Sequence, residues 1–170
     1  MNWGECWSRC EEMEPRMQLG MDGKEFVRKQ EAWNNWLSEI AQRFEADSVE
    51  DIAWFERALA AEGKKWFACS VLSKLPQIPD ALFAPLIQAA VREHCPSNTR
   101  AFVAPAVHAF GSARVIEALR PYAEHGTRED KDGAQSALYW APLLSPAEEQ
   151  PAQGRSLLKS ILSRIRALFG

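Results

Sequence analysis

The fold is decided by residues 100–120, RAFVAPAVHAFGSARVIEALR. Bulky apolar residues recur in this stretch at intervals of three and four, which is the spacing of one face of an α-helix. Gly111 interrupts the pattern, and glycine commonly ends a helix because it adopts a left-handed backbone conformation without strain. We therefore predict one helix over Arg100–Phe110 and, after a cap at Ser112, a second helix over Ala113–Glu124.

The same organisation continues on both sides of this helix pair. Breaks at glycine or proline, together with a predicted loop over Cys95–Asn98, delimit three further helices, which we place at Lys64–Leu75, Pro79–Glu93 and Thr127–Ala141. The motif Trp66-Phe67-Ala68 returns 35 residues later as Ala101-Phe102-Val103. Repetition of two antiparallel helices with this period indicates an α-solenoid.

Three segments of the chain resemble the HEAT-like repeat superfamily. They are Arg100–Gly111, Arg114–Leu119 and Lys131–Ala141, and the resemblance extends over residues 64–141. Pro105 suits the proline for which the first helix of a HEAT repeat is known. The resemblance implies an all-α, right-handed solenoid of antiparallel helix pairs, which serves as a scaffold with a binding surface and not as the site of a reaction.

The domain organisation follows from these repeats. We expect residues 1–153 to form a single all-helical HEAT-like domain, with an irregular Trp-rich N-terminal helical cap over 1–47 and repeat pairs over 48–141. Residues 154–170 are predicted to form a separate C-terminal helix.

Two helices are predicted ahead of the motif Trp66-Phe67-Ala68. The first covers Lys24–Ala46, where large apolar residues are spaced by three and four. Ser48 is predicted to cap the second, Val49–Glu62, because its hydroxyl can accept a hydrogen bond from a free backbone amide. Asp51 stands at the position of the reciprocal partner in a capping box.

Tryptophan is concentrated near the N-terminus, with six of the seven before residue 67. Tryptophan either fills a core or anchors an interface. We predict that Trp33, Trp54 and Trp66 belong to the core. For the other three, a core position and an exposed contact surface both remain open: Trp3, Trp7 and Trp36.

Composition excludes several classes of protein. The chain of 170 residues has 46% hydrophobic and 25% charged residues, which is ordinary for a globular domain and excludes a disordered or fibrous chain. No apolar run approaches the ~20 residues of a membrane span, and the N-terminal residues lack the pattern of an export signal. We therefore expect a cytoplasmic protein.

No catalytic, metal-binding or cofactor-binding motif is found. The four cysteines lack the paired spacing of a zinc module and are expected to be reduced thiols. The three histidines occur singly, and the glycines do not form a phosphate-binding loop. We therefore expect neither a metal ion nor a cofactor, and no enzymatic activity.

A solenoid exposes one helix of each pair on its concave side, and this surface is the predicted partner-binding site. Polar residues of the two inner helices form a candidate strip, with solvated helix faces as the alternative: Gln88, Arg92, Glu117, Arg120 and Glu124. Tyr139 and Trp140 are further candidate contacts, because aromatic side chains often anchor protein interfaces.

The C-terminal segment is basic and amphipathic. Residues 154–170 contain four bases and no acid, whereas residues 1–63 contain 14 acids and 7 bases. Three roles remain open: a cap on the solenoid or docking on the acidic N-terminal region, a helix that binds a partner or a second copy, and a helix on a membrane surface. Its candidate contact residues are Arg155, Lys159, Arg164 and Arg166.

Taken together, these features predict a non-catalytic protein-binding module, an adaptor or regulator in a bacterial cytoplasm. An immunity protein that neutralises a toxin is a specific version, because small acidic α-helical proteins often have that role. Its partner is expected to be a protein, and a homodimer is an option. One alternative is a DNA-binding or alkyl-base glycosylase-type HEAT-like enzyme, but a formal charge of −3 disfavours nucleic acid. The other is a protein that associates with membrane surfaces.

Overall fold

The computed structural model describes residues 1–14 and 22–144, and in this part of the chain all regular structure is helical. The all-α prediction is confirmed. The contacts divide the chain between Pro85 and Leu86 into two compact units. The elements in chain order are α1 (Trp3–Met13), α2 (Gly23–Ala41), α3 (Val49–Ala60), α4 (Lys65–Leu72), a 3-10 turn (Asp80–Leu82), α5 (Phe83–Val91), α6 (Pro96–Phe110), α7 (Ser112–His125) and α8 (Arg128–Leu143).

Side-chain caps determine where the first three helices begin. Asn2 accepts hydrogen bonds from two amides at the start of α1, and Asp22 accepts one at the start of α2. Ser48 accepts a hydrogen bond from the Asp51 amide, so the predicted cap of α3 is confirmed. The reciprocal half of the capping box is absent, because the Asp51 carboxylate accepts hydrogen bonds from the Trp3 indole and the Glu45 amide.

Aromatic rings form the core of the N-terminal unit. Phe55 is fully buried, and the centroids of three rings surround it: Trp3 at 4.8 Å, Trp54 at 5.1 Å and Phe44 at 5.2 Å. Phe67 in α4 is a second centre and is in ring contact with Trp7, Trp36 and Trp54. These contacts join α1, α2, α3 and α4.

The burial of the tryptophans differs from the prediction. Trp3 and Trp36, which the sequence left open, are only 3% and 8% exposed. The three that we placed in the core are each partly exposed: Trp33, Trp54 and Trp66. Part of this result follows from the indole N–H, which needs a hydrogen-bond acceptor when it is buried. The Asp51 carboxylate accepts the N–H of Trp3, so this side chain can be deeply buried.

Helices α6, α7 and α8 each pack against the other two and form the C-terminal unit with the latter part of α5. Its core is made of apolar side chains that are almost inaccessible to solvent: Leu86, Phe102, Val103, Val107, Val115 and Leu119. The stacking of helix pairs into a solenoid stays a prediction.

Small residues bring α8 close to its neighbours. Gly133, Ala134, Ala137 and Ala141 are all buried and lie on one side of α8. On α6, by contrast, Ala101 and Ala109 are exposed and only Ala106 is in the core. The buried small residues of this unit therefore lie mainly on α8 and not on α6.

Several prolines lie within helices, and two of them, Pro96 and Pro142, mark predicted boundaries that were wrong. Helix α6 begins at Pro96 and includes part of the predicted loop, because a proline at the first helical position needs no amide donor. Pro85 lies in the first turn of α5, where its missing N–H is equally harmless. Helix α8 continues through Pro142 to Leu143, whereas we had ended it one residue before the proline.

No helix within residues 1–14 and 22–144 is both long and apolar enough to cross a lipid bilayer. The predicted C-terminal helix, residues 154–170, lies outside the described residues, as do its four basic candidates, Arg155, Lys159, Arg164 and Arg166.

Candidate functional site

Two adjacent aromatic residues of α8 define the candidate site. The Tyr139 side chain is 61% exposed, and Trp140 is partly exposed. The two rings meet edge to face, with centroids 5.2 Å apart and planes at 79°. An exposed aromatic ring supported by a second ring is a rigid apolar surface, which water solvates poorly.

Trp140 is held in place by the first turn of α6. Its indole Nε1–H donates a hydrogen bond of 2.9 Å to the backbone carbonyl of Pro96. The Arg100 guanidinium lies over the same ring, with its central carbon 5.6 Å from the ring centroid. A hydrogen bond at the edge and a cation over the face restrict the ring, so the surface that it presents is pre-organised.

A groove of about 420 Å³ runs between α8 and the beginning of α6. Four of the α8 residues that line the groove are separated by helical spacings of three or four and therefore lie on one face of the helix. They are Asp132, Gln135, Ser136 and Tyr139. Pro96, Ser97 and Trp140 complete the lining. Hereafter we call these seven residues the aromatic groove.

Polar groups line the groove beside the aromatic rings. The Ser136 hydroxyl donates to the Asp132 backbone carbonyl at 3.1 Å, and its oxygen can still accept a hydrogen bond. Gln135 and Asp132 are exposed and add an amide and a carboxylate. The groove therefore offers one apolar surface, hydrogen-bonding groups and one negative charge.

The beginning of α8 is stabilised by a capping box. Thr127 accepts a hydrogen bond from the Asp130 amide, and the Asp130 carboxylate accepts hydrogen bonds from the Thr127 hydroxyl and amide. These bonds, and to a lesser degree the positive charge of Arg92, lower the pKa of Asp130 below its ordinary value. The capped turn precedes Asp132 and so helps to set the register of the groove-lining face.

Groups with acid–base or nucleophilic chemistry are not gathered at this groove. His94, His108 and His125 are exposed at separate positions in the chain. Burial raises the pKa of the Cys69 thiol to about 12, so this thiol stays protonated and unreactive. Across residues 1–14 and 22–144, no three histidine, cysteine, aspartate or glutamate side chains are grouped so as to hold a metal ion.

The residues of the predicted polar strip are all exposed: Gln88, Arg92, Glu117, Arg120 and Glu124. Two of them belong to α5 or the turn after it, and three belong to α7. The packing of the C-terminal unit is dominated by α6, α7 and α8, and α5 is not among the main neighbours of α7. A continuous strip formed by these five residues stays a prediction.

Sequence reasoning selected Tyr139 and Trp140 but missed the rest of the aromatic groove. On the predicted helix, the spacing of Asp132, Gln135 and Ser136 places them on the same face as Tyr139, so these three groove residues could have been found from the sequence. Pro96 and Arg100 gave no such signal, because the hydrogen bond from Trp140 joins residues 44 positions apart.

Comparison with protein-family models, with curated proteins and with solved structures finds no match for this chain. The resemblance to HEAT-like repeats therefore depends on the residues quoted for it above, and the function is argued from the groove itself.

Proposed function

We propose that this protein is a non-catalytic, helical protein-binding module, and that the aromatic groove binds a segment of a partner protein. The observation that carries the proposal is the exposure of Tyr139 next to an anchored Trp140. A tyrosine that is 61% exposed can bury much more of its ring when a partner covers it.

Pre-organisation is the physical reason why this surface favours binding. Association is opposed by the entropy lost when interface side chains are ordered, about 0.5–1.5 kcal/mol for each flexible side chain. Trp140 is already ordered by the Pro96 carbonyl and the Arg100 guanidinium. Tyrosine, tryptophan and arginine are also the residues that most often dominate binding energy at protein interfaces.

The lining of the groove specifies the chemistry of the bound segment. An apolar side chain would pack against Tyr139 and Trp140, and a volume of about 420 Å³ admits one or two such side chains. Ser97, Ser136 and Gln135 would hydrogen-bond to the polar backbone of the segment. A lysine or arginine beside the apolar side chain would be attracted by the Asp132 carboxylate.

The finer description of the module is also a proposal. A HEAT-like solenoid that acts as an adaptor or regulator in a bacterial cytoplasm is supported by the repeat of 35 residues and by the lack of catalytic motifs. A toxin-neutralising immunity protein is the version suggested by small size and acidic charge. No feature of the aromatic groove favours the DNA-binding alternative, since its charged lining residue is an aspartate.

The test compares binding by two tyrosine variants. Proteins captured from a lysate by the full chain are purified and then titrated against wild type and Tyr139→Ala by calorimetry. Because removal of a central aromatic contact commonly costs about 2 kcal/mol or more, we expect Tyr139→Ala to weaken binding at least about 30-fold. Tyr122→Ala is the matched control, since Tyr122 is the other tyrosine of the chain and lies on α7, outside the groove lining.

The outcomes distinguish binding at the aromatic groove from binding at another surface of the protein. Weaker binding by Tyr139→Ala with near wild-type binding by Tyr122→Ala supports the proposal. Equal affinities of wild type and Tyr139→Ala would show that the partner does not use the groove. Salt-sensitive binding of labelled duplex DNA at physiological ionic strength, with no protein partner, would favour the DNA-binding alternative.

A further inference from the structure

A second groove lies where α1 and α3 begin, and two large apolar side chains are exposed in its lining. It has a volume of about 660 Å³ and is lined by Met1, Asn2, Trp3, Val49, Glu50, Asp51, Ala53, Trp54 and Arg57. We call it the α1–α3 groove. Val49 is 80% exposed and Met1 is 49% exposed. These two are among the four large apolar side chains that are exposed in the described part of the chain.

The surroundings of this groove are acidic. Glu50 and Asp51 line it, and Arg57 is the basic residue in the lining. Glu5 is close by, since its carboxylate accepts a hydrogen bond of 2.8 Å from the Asn2 side chain. More broadly, residues 1–63 contain 14 acids and 7 bases. A ligand that presents apolar groups bordered by positive charges would match this groove.

The C-terminal end of the chain has that pattern. Residues 154–170 contain four bases and no acid. At helical spacing their leucine, isoleucine and phenylalanine side chains fall on one arc, with Arg155, Lys159 and Arg166 along one edge and Arg164 along the other. Three serines, Ser156, Ser160 and Ser163, fall on the opposite side.

We propose that the α1–α3 groove binds residues 154–170 of this chain. The apolar arc of the segment covers Met1, Val49 and the exposed part of Trp54, while bases at its edges pair with Glu50 and neighbouring carboxylates. Binding requires both the apolar contacts and the charge pairs. Burial of apolar surface provides most of the affinity, and the charges set orientation and specificity. This site is separate from the aromatic groove and does not depend on the function proposed for it.

Site-specific photo-cross-linking tests the proposal in the full chain. The photo-reactive amino acid p-benzoylphenylalanine is introduced at Val49, whose 80% exposure allows a larger side chain without disturbing the core. The matched control carries the same amino acid at Val27, which is 52% exposed on α2 and is not part of the groove lining. We expect cross-links from position 49 to peptides within 154–170, and few from position 27.

Two triple variants test the role of charge. Arg155→Gln, Lys159→Gln and Arg166→Gln together lower the net charge by three on the edge of the apolar arc. Ser156→Glu, Ser160→Glu and Ser163→Glu lower it by the same amount on the opposite side. Loss of the positive edge, and with it of surface ion pairs of modest strength, should reduce the cross-link yield at least about threefold in the first variant, with little change in the second.

Each outcome decides the proposal. A cross-link from position 49 to residues 154–170 that responds to the first triple variant and not to the second supports it. A yield that rises with protein concentration supports docking between two copies, and a constant yield supports docking within one molecule. Equal yields from positions 49 and 27, products outside 154–170, or equal effects of the two triple variants would overturn it.

Discussion

Replacing Gly133 with alanine should destabilise this protein, although the same change stabilises most helices. Gly133 is buried within α8, and a Cβ at this position would overlap the backbone carbonyl of Val91, the last residue of α5. The added atom would be 2.7 Å from the Val91 carbonyl carbon, well inside van der Waals contact. Because the obstacle is backbone, no side-chain rotation can relieve the overlap.

The magnitude follows from two opposing effects. Alanine gains about 1 kcal/mol over glycine in a helix interior, since glycine loses more backbone freedom on folding. Overpacking costs about 1–3 kcal/mol, and overlap with a fixed carbonyl belongs at the upper end of that range. We therefore expect Gly133→Ala to lower the free energy of unfolding by about 2 kcal/mol. In a chain of this length this corresponds to a fall in Tm of about 4–8 °C.

The measurement is thermal and urea unfolding followed by circular dichroism. Gly23→Ala is the control, because Gly23 is the first residue of α2 and an added Cβ there meets no atom within 4 Å. We expect the control to equal or slightly exceed wild type in stability. If Gly133→Ala were as stable as Gly23→Ala, the close approach of α8 to the end of α5 would be refuted.

Three further predictions concern hydrogen bonds and thiols. Trp3→Phe should destabilise the protein by about 1–3 kcal/mol in urea unfolding, because the buried Asp51 carboxylate loses an indole donor 2.8 Å away. Asp130→Asn should also destabilise it, and the difference from wild type should be full above pH 3.8, the ordinary carboxyl pKa, and shrink as the pH falls through the lowered pKa of folded Asp130. Iodoacetamide at pH 8 should alkylate the exposed Cys95 in the native protein and spare Cys69, whose pKa is raised to about 12.

Each of these predictions has its own control. Trp33→Phe should have a smaller effect than Trp3→Phe, because Trp33 is half-buried; a larger effect would contradict the role given to the Asp51 bond. A pH-independent difference between wild type and Asp130→Asn would contradict the lowered pKa. For the thiols, denaturation should abolish the protection of Cys69, and equal alkylation of both cysteines in the native protein would contradict its burial.

Local signals in the sequence predicted the helices well. Ser48 caps α3 as predicted, and Gly111, with a φ of 81°, separates α6 from α7 where the apolar pattern broke. These features depend on residues within one helical turn of each other, so spacing alone reveals them. The errors at Pro96 and Pro142 arose because proline was treated as a break; at Pro96 the N-terminal end of a helix leaves its amides unpaired in any case, and α8 accommodates Pro142 in its last turn.

The position of each tryptophan was much harder to predict. Trp3 and Trp36 are buried and Trp33 is only partly so, although all three have the same chemistry. Deep burial of an indole is costly unless its N–H meets a hydrogen-bond acceptor. For Trp3 that acceptor is Asp51, which is 48 residues away in the sequence. Periodicity within one helix carries no information about a partner in another helix.

The sequence by itself determined that this chain is helical and where most of its helices begin and end, and it indicated Tyr139 and Trp140 as candidate contacts on one helix. Those properties arise from interactions between residues close together in the chain. Only the tertiary structure decided that Pro96 and Arg100 anchor Trp140, and that Gly133 lies against Val91. Such contacts form when separate helices pack, and packing depends on the shapes of both surfaces at once.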